Sequence, residues 1–393
     1  MSGRWSTRFL LLSLIGATAI FSSTMSKSPI LPLFAKYLGA GTREIGLIAA
    51  ASTVVGIFMN ITAGSLSDIY GRRRLIIASC IVFSTAPFLY LFITQVWQLV
   101  AVRLYHGLAT AIFASVSMAV IADLFPVRRG EMMSLFSSIR MVGRLLAPVV
   151  GGLLLSFASF KAVYLICGVA GTIALLCSTR LYTDGGGAAA AASSPGGGRI
   201  IEGLKTIMTD VRILSASSTE AAIYFSIGSI ETFLPVYILL LGMEPWVSGT
   251  LLMVQTFTRT LCKPVMGAAS DRFGRRGLIA LGLLLVTGSM LLIPLSRDFL
   301  VLIPIIVLSG VGISATSAAN APLIADIAPR HLYGSALGAL ETIKDVGHAS
   351  GPIVAGILIA QTSYFTAFYV VGLLLIVDMA LFLLATRGTH RGG

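Results

Sequence analysis

The sequence predicts an all-α membrane protein with twelve transmembrane helices in two pseudo-symmetric six-helix bundles. Three observations lead to this fold class. The 393 residues are 56% hydrophobic and only 11% charged, whereas soluble proteins carry about 25% charged residues. The apolar runs between polar gaps are about 18–28 residues long, enough for a helix to cross a bilayer. One polar gap also recurs about half a chain later, as expected for a duplicated bundle.

Twelve apolar runs follow one another along the chain, each separated from the next by a short polar gap. We predict spans 1 to 12 at residues 9–34, 45–66, 75–95, 98–122, 133–156, 162–181, 214–241, 247–267, 277–295, 299–325, 334–359 and 363–386.

A stretch rich in Gly, Ala and Ser at 183–199 separates the first six spans from the last six. This composition is typical of a flexible linker. Apolar side chains at helical spacing follow it, which predicts either an amphipathic helix on the cytoplasmic membrane face or a soluble linker helix. The predicted domains are an N-terminal bundle at 1–182, a cytoplasmic linker with its helix at 183–212, and a C-terminal bundle at 213–393.

The net charge of +12 is concentrated in alternate gaps. The gaps after spans 2, 4, 8 and 10 hold Arg72, Arg73, Arg74, Arg128, Arg129, Arg272, Arg275, Arg276 and Arg330. Basic loops remain on the cytoplasmic side of a membrane. The pattern, with its short loops, therefore predicts a multi-pass protein of a prokaryotic plasma membrane with both termini in the cytoplasm. It argues against nucleic acid as a partner.

The gap after span 2 is repeated after span 8. The segment from Gly64 to Arg73 reads GSLSDIYGRR, and the segment from Gly267 to Arg276, 203 residues later, reads GAASDRFGRR. Further matches follow at offsets of 203 and then 204 residues; they are Pro32 with Pro235, Asp123 with Asp326, Gly143 with Gly347, Pro148 with Pro352, and Gly152 with Gly356. The two halves of the chain are therefore predicted to be repeats of one unit.

These motifs resemble those of the major facilitator superfamily over nearly the whole chain. The first hairpin matches that family's pattern at Gly64, Leu66, Asp68, Gly71, Arg72 and Arg73. Span 4 carries the similar pair Arg103 and Gly107. Span 5 resembles the motif of the drug–proton antiporter branch, with Ala147 where that branch usually has Gly. The resemblance implies the major facilitator fold and transport by alternating access.

The basic hairpins are candidate gating latches. Gly71 and Gly274 permit a sharp turn between helices. Asp68 and Asp271 can pair with arginines across the bundle interface in one conformation, and the resemblance implies that the hairpin latches the outward-open state. Asp123 and Asp326, at the cytoplasmic ends of spans 4 and 10, are natural partners for the hairpin arginines. Simple positive-inside anchoring is the alternative. The candidate latch residues are Gly64, Asp68, Gly71, Arg72, Arg73, Asp123, Gly267, Asp271, Gly274, Arg275, Arg276 and Asp326.

Small residues and a proline recur in spans 5 and 11. Such stripes let helices approach closely, and a proline bends a helix because it removes a backbone hydrogen bond. A bend point for gating and ordinary tight packing are both compatible with the pattern. The residues are Gly143, Pro148, Gly151, Gly152, Gly347, Gly351 and Pro352.

Apart from Arg180 at the end of span 6, seven basic and five acidic residues fall inside the predicted spans. Each costs about 2.5–3.5 kcal/mol at the centre of a lipid-facing helix, so these charges must face water or one another. The residues that we expect to serve proton coupling or to line the substrate cavity, two histidines included, are Lys27, Arg103, His106, Arg140, Arg144, Glu231, Arg259, Glu341, Lys344, Asp345 and His348.

Glu231 in span 7 is the first choice for the proton carrier because a desolvated carboxyl in a transport cavity can titrate near neutrality. Lys27, at nearly the same depth in span 1, is predicted to alternate as its partner or to form a static salt bridge. The second choice is a relay through Glu341, Asp345 and His348.

The remaining polar residues of the spans receive weaker assignments. The resemblance implies a role in proton coupling for Arg103, whereas His106, on the same face, is either a packing residue or part of the cavity lining. Asp378 in span 12 is expected to be structural.

The preferred function is proton-coupled antiport that exports a small organic compound, and uptake or exchange of an organic anion is the alternative. The sequence carries no pattern typical of an enzyme, and a membrane sensor is a remote alternative because no soluble domain is visible. The predicted partners are the bilayer and a small-molecule substrate. No cofactor or metal is expected beyond the proton gradient, and the expected state is a monomer.

Overall fold

The computed structural model describes residues 2–181, 210–328 and 333–387, and this part of the chain contains helices without any strand. The helices are α1 Ser2–Lys27, α2 Ile30–Tyr37, α3 Thr42–Tyr70, α4 Arg72–Leu89, α5 Val96–Leu124, α6 Arg129–Phe157, α7 Phe160–Thr179, α8 Val211–Leu240, α9 Pro245–Phe273, α10 Arg275–Leu292, α11 Phe299–Ile327, α12 Tyr333–Gln361 and α13 Tyr364–Ala385. Short 3₁₀ turns at Tyr90–Phe92 and Ile293–Leu295 follow α4 and α10.

Twelve spans are present, as the sequence predicts. Helices α1 and α2 together form span 1, and α3 to α13 are spans 2 to 12. Span 1 differs from the prediction because it is interrupted at Ser28 and Pro29; a proline has no backbone N–H to continue the helix. Among the described residues, ten spans are long and apolar enough to cross a membrane by composition alone. The other two, α9 and α12, carry several of the predicted intramembrane charges.

The linker and most of the predicted amphipathic helix lie outside the described residues. The structure resumes at Asp210, whose carboxylate accepts a hydrogen bond from the Arg212 backbone N–H at 2.8 Å. The Arg212 side chain also bonds this carboxylate and lowers the pKa of Asp210. Asp210 therefore caps the start of α8, at the point where the predicted C-terminal bundle begins.

The helix bounds repeat with the offsets seen in the sequence. Helix α9 begins at Pro245, 203 residues after the start of α3 at Thr42, and α10 and α11 follow α4 and α5 at the same distance. Helix α12 begins at Tyr333, 204 residues after the start of α6 at Arg129. The shift from 203 to 204 thus falls between the fourth and fifth spans of each half.

The chain forms two compact units. Unit 1 comprises residues 1–40, 47–194 and 243–249, and unit 2 comprises 41–46, 195–242 and 250–393. The first turns of α3 and α9 are therefore assigned differently from the predicted domains. In unit 2 the Thr42 hydroxyl donates to the Gly356 carbonyl at 3.0 Å, and this contact holds the start of α3 against α12.

Glycines set the closest helix contacts inside both units. In unit 2, a Cβ added to Gly347 or Gly351 of α12 would overlap the backbone carbonyls of Ala221 or Phe225 of α8. In unit 1, a Cβ at Gly143 of α6 would lie 2.7 Å from the Ala17 carbonyl oxygen of α1. The predicted small-residue stripes thus form tight packing surfaces; Pro148 and Pro352 lie inside α6 and α12.

Two glycines shape the repeated hairpins. Gly71 has φ of 89° and Gly274 has φ of 91°, a region that side chains other than Gly rarely adopt. Each immediately precedes the arginine that begins the next helix. The backbone angle therefore explains why both hairpins have Gly at this position.

We predict that Gly71→Ala and Gly274→Ala each lower the free energy of unfolding by about 1–3 kcal/mol, the usual cost of such a backbone conformation for an L-residue. No neighbouring atom lies within 4 Å of the added Cβ, so the backbone is the only source of the effect. Thermal unfolding of the purified protein in detergent measures the change.

The matched control is Gly277→Ala, three residues after Gly274. Its added Cβ also meets open space, but it lies inside α10, where Ala is favoured over Gly by about 1 kcal/mol. A shift of the unfolding temperature in the same direction for all three variants would contradict the assignment of strain to Gly71 and Gly274.

Candidate functional site

An acid and a histidine meet between α8 and α12 in unit 2. Glu231 Oε2 lies 3.4 Å from His348 Nε2, and the two side chains are 24% and 16% exposed. The close approach of the helices positions them, because a Cβ on Gly228 of α8 would lie 2.5 Å from the His348 carbonyl oxygen. Glu231, the first choice for the proton carrier, and His348, from the second choice, thus belong to one pair.

Charged and aromatic groups extend this site by two helical turns. Lys344 forms an ion pair with Glu341 on α12, and its Nζ lies 5.2 Å from the centre of the Tyr224 ring. The same ring is 6.2 Å from the His348 ring. A continuous row therefore runs from Glu341 through Lys344 and Tyr224 to His348 and Glu231. Asp345, also on α12, is half-buried.

A second buried carboxyl in unit 2 was counted among the intramembrane acids but not selected as a site residue. Glu220 of α8 accepts hydrogen bonds from Ser317 Oγ at 2.9 Å and Asn320 Nδ2 at 3.1 Å, both on α11. Asn320 Nδ2 also donates to the Ala216 carbonyl at 2.8 Å. Glu220 is visible in the sequence as an acid in an apolar span, but nothing there identifies the neutral Ser317 and Asn320 as its partners.

Two polar residues predicted for the cavity are buried in unit 1. Arg103 and His106 of α5 are 2% and 1% exposed. A guanidinium nitrogen of Arg103 donates to the Ser52 hydroxyl on α3, and the His106 ring has edge contacts with Phe83 and lies near Tyr90. Their assignment to a substrate cavity stays a prediction, since neither side chain reaches solvent in this structure.

The other predicted cavity cations are spread over both units. The Arg140 guanidinium lies 4.9 Å from the centre of the Phe136 ring, and its buried Nε has no hydrogen-bond partner among the described residues. Arg144 and Lys263 are exposed, whereas Lys27 and Arg259 are half-buried. Lys27 belongs to unit 1 and Glu231 to unit 2, and their pairing stays a prediction.

The basic hairpins form the same contacts in each unit. Arg72 pairs with Asp123 at the end of α5. Arg275 pairs with Asp326 at the end of α11, at 2.8 Å. These ion pairs lie within a unit and join the hairpin arginines to Asp123 and Asp326, the partners that the sequence suggests for them. Pairing of Asp68 and Asp271 across the interface stays a prediction. Asp271 is exposed and lies 3.8 Å from Arg275.

The second arginine of each hairpin caps the last helix of its half. Arg73 donates to the Thr179 carbonyl of α7 at 2.8 Å, and Arg276 donates to the Leu383 carbonyl of α13 at 2.5 Å. Gly64, Asp68 and Gly267 lie in α3 and α9; the side chain of Asp68 is outside the described part. The gating role of these residues stays a prediction.

Asp378 of α13 has a local partner. Its Oδ1 accepts a hydrogen bond from Ser218 Oγ of α8 at 2.7 Å. This contact joins two helices of unit 2 and agrees with a structural role for Asp378.

Comparisons with known proteins assign the fold. A family model described as Major Facilitator Superfamily matches residues 12–258 and 247–392. An uncharacterised MFS-type transporter of Methanocaldococcus jannaschii is 25% identical over 84% of this chain and 86% of its own length. A homologue of the multi-drug resistance efflux pump PmrA from Lactococcus lactis is 24% identical over 95% of this chain and 93% of its own.

A solved structure agrees with these sequence matches. The crystal structure of the nucleoside transporter NupG superposes with a TM-score of 0.85 and 11% identity, and covers 97% of this chain and 99% of that one. The fold, the repeated hairpins and the family match agree, and the protein belongs to the major facilitator superfamily, as a multi-pass membrane transporter rather than an enzyme.

Proposed function

We propose that the protein is a proton-coupled antiporter that exports a small organic compound by alternating access, with Glu231 and His348 carrying the coupling proton. The observation that carries this proposal is their 3.4 Å contact in the interior of spans 7 and 11. The proton gradient is then the only energy source, and no cofactor takes part.

The pair suits this task because its net charge changes with the number of protons that the carboxyl and the imidazole hold together. With one shared proton, the pair is neutral overall, as a carboxylate with an imidazolium or as a carboxylic acid with an imidazole. Loss or gain of a proton creates a net charge in a partly desolvated place, which is costly. Such coupled groups titrate as a unit, so a bound substrate that supplies or displaces charge changes the number of protons held.

The neighbouring cation supports proton release. Lys344 lies one helical turn before His348 on α12, and its ammonium group is held by Glu341 and by the face of Tyr224. The Glu341 carboxylate offsets the charge of Lys344 while the two are paired, and an ammonium that left this ion pair would attract the negative charge of a deprotonated acid. The movement of Lys344 toward or away from the pair is the step that we propose links substrate binding to proton binding.

Similarity to a multidrug efflux homologue supports export of an organic compound rather than uptake. The basic hairpins support a cell-membrane location with both termini in the cytoplasm. We further propose that the Arg72–Asp123 and Arg275–Asp326 pairs stabilise the hairpins during the gating step, and that the protein works as a monomer.

An organic anion is the second candidate substrate, and one observation favours it. Arg140 Nε is buried without a hydrogen-bond partner among the described residues, and a carboxylate or phosphate oxygen would satisfy it. The function would then be uptake or exchange of the anion.

We predict that Glu231→Gln abolishes substrate-driven proton movement. The protein is placed in liposomes that hold a pH dye, a pH gradient is imposed, and organic cations, neutral drugs, sugars and carboxylates are added in turn. Gln keeps the shape but cannot carry a proton, so the rate should fall by about 100-fold, the lower end of what an acid–base group contributes. Exchange of labelled substrate without a gradient should persist and shows that the variant is folded.

Glu220→Gln is the matched control because it changes the other buried acid of α8, which has two neutral hydrogen-bond donors as partners. We expect this variant to keep proton coupling. If Glu220→Gln loses coupling and Glu231→Gln keeps it, the proton carrier is Glu220 and our assignment is wrong.

Arg140→Gln separates the two candidate substrates, with Arg144→Gln on the exposed face as its control. For antiport of a neutral or cationic compound, we expect proton movement to continue in both variants. Loss of labelled carboxylate exchange in Arg140→Gln alone, together with no proton movement by any compound in the unaltered protein, would replace antiport with anion exchange.

A further inference from the structure

Four polar side chains meet in the interior of unit 1, and none of them belongs to the Glu231–His348 pair proposed above for proton coupling. Arg103 and His106 lie on α5, Tyr90 in the turn after α4, and Tyr164 on α7. All four are buried, and both tyrosines are completely so. The Tyr90 and Tyr164 rings stack with their centres 4.3 Å apart, and the Tyr90 ring is 6.4 Å from the His106 ring.

Most polar atoms of this cluster lack a protein partner. Four atoms are buried without a hydrogen bond among the described residues; they are Arg103 Nε, His106 Nδ1, His106 Nε2 and Tyr164 Oη. The Tyr90 hydroxyl is also buried, with the Arg103 guanidinium within its reach. Each buried polar group left without a partner costs about 1–3 kcal/mol. Four such atoms around one place exceed what a few unsatisfied groups scattered over a protein would explain.

The charge of the cluster is also uncompensated. Within the described part of the chain, Arg103 forms no salt bridge, and its guanidinium donates a hydrogen bond to the neutral hydroxyl of Ser52. The guanidinium acts electrostatically on Tyr90, His106 and Tyr164, so it is the common neighbour of the set. A buried cation without a counter-charge is strongly unfavourable.

The equivalent positions in the second half of the chain show that the fold can pack there largely without polar side chains. At the repeat offsets, Tyr90 corresponds to Ile293, Arg103 to Ile306, His106 to Ser309, and Tyr164 to Phe368. Ile293, Ile306 and Phe368 are buried core residues of unit 2. Three of the four positions are therefore filled by apolar side chains in unit 2, and the fourth, Ser309, accepts a hydrogen bond from Gln255 at 3.0 Å. In unit 1 all four carry hydrogen-bond donors.

We propose that these four residues form a buried binding site for a small inorganic anion of the size of chloride. The argument rests on the donor set. A guanidinium N–H, two phenol O–H groups and an imidazole N–H all donate, no carboxylate competes, and a monovalent anion would neutralise Arg103 while it accepts from the others. The site lies within unit 1 and does not depend on the proposed antiport.

The test measures thermal unfolding of the full-length protein in detergent while chloride replaces gluconate, a bulky anion, at constant ionic strength. A ligand that binds only the folded state raises the unfolding temperature in a saturable way. We expect this for the unaltered protein. In the double variant Tyr90→Phe with Tyr164→Phe, the half-saturating chloride concentration should rise at least about ten-fold, since two charge-assisted hydrogen bonds are lost.

Arg103→Ile should abolish the chloride dependence, because Ile is the residue of the second repeat. If that variant does not fold, Tyr164→Phe alone decides, since Phe368 already fills the equivalent place. Arg128→Gln, which removes an exposed arginine of unit 1, should keep the full dependence and excludes a general effect of the net charge.

Crystals grown in bromide give a direct reading, with an anomalous peak expected beside Arg103. Equal unfolding temperatures in chloride and gluconate would overturn the proposal. So would an unchanged chloride dependence in the Tyr164→Phe and Arg103→Ile variants, or a bromide peak at another place alone.

Discussion

The approach of α12 to α8 is the contact on which the rest of unit 2 depends. Gly347 and Gly351 let the carbonyls of Ala221 and Phe225 occupy the space of a side chain, and Gly228 does the same from the other helix. At this separation a carboxylate and an imidazole meet. A wider spacing would break this contact in a partly desolvated place, where charged groups are costly. The close packing of small residues therefore also determines where the acid and the histidine meet.

The duplication distinguishes interactions that recur in both halves from residues that occur in one half only. Arg72 with Asp123 recurs as Arg275 with Asp326, and Arg73 caps its last helix as Arg276 does. Interactions that occur in both units stabilise features common to both, namely the hairpin and its contact with the last helix of the half. Glu231 corresponds to Ser28, so the acid of the proposed proton pair occurs in one half only. Chemistry that differs between the halves must come from such positions.

The sequence was sufficient for the spans, the hairpins and the shift of the repeat from 203 to 204, because hydropathy and motif spacing are local properties. It was insufficient for partners. The contact of Glu231 with His348 depends on the rotation of α8 and α12 about their axes. Glu220 was passed over because Ser317 and Asn320 are neutral and lie about 100 residues away in the chain. A hydropathy pattern contains neither the rotation of a helix about its axis nor the contacts between residues far apart in the chain.

The second repeat shows which side chain the fold accepts at the position equivalent to Arg103, and so helps to judge the energetic cost of burying this arginine. A buried ionised group is seldom a source of stability, and apolar side chains of similar volume are often better. Ile306 demonstrates that this fold accepts such a replacement at the equivalent position. Packing alone therefore does not account for the guanidinium in unit 1. A bound anion would compensate its charge and satisfy the phenol groups of Tyr90 and Tyr164 together, whereas a change in packing would satisfy neither.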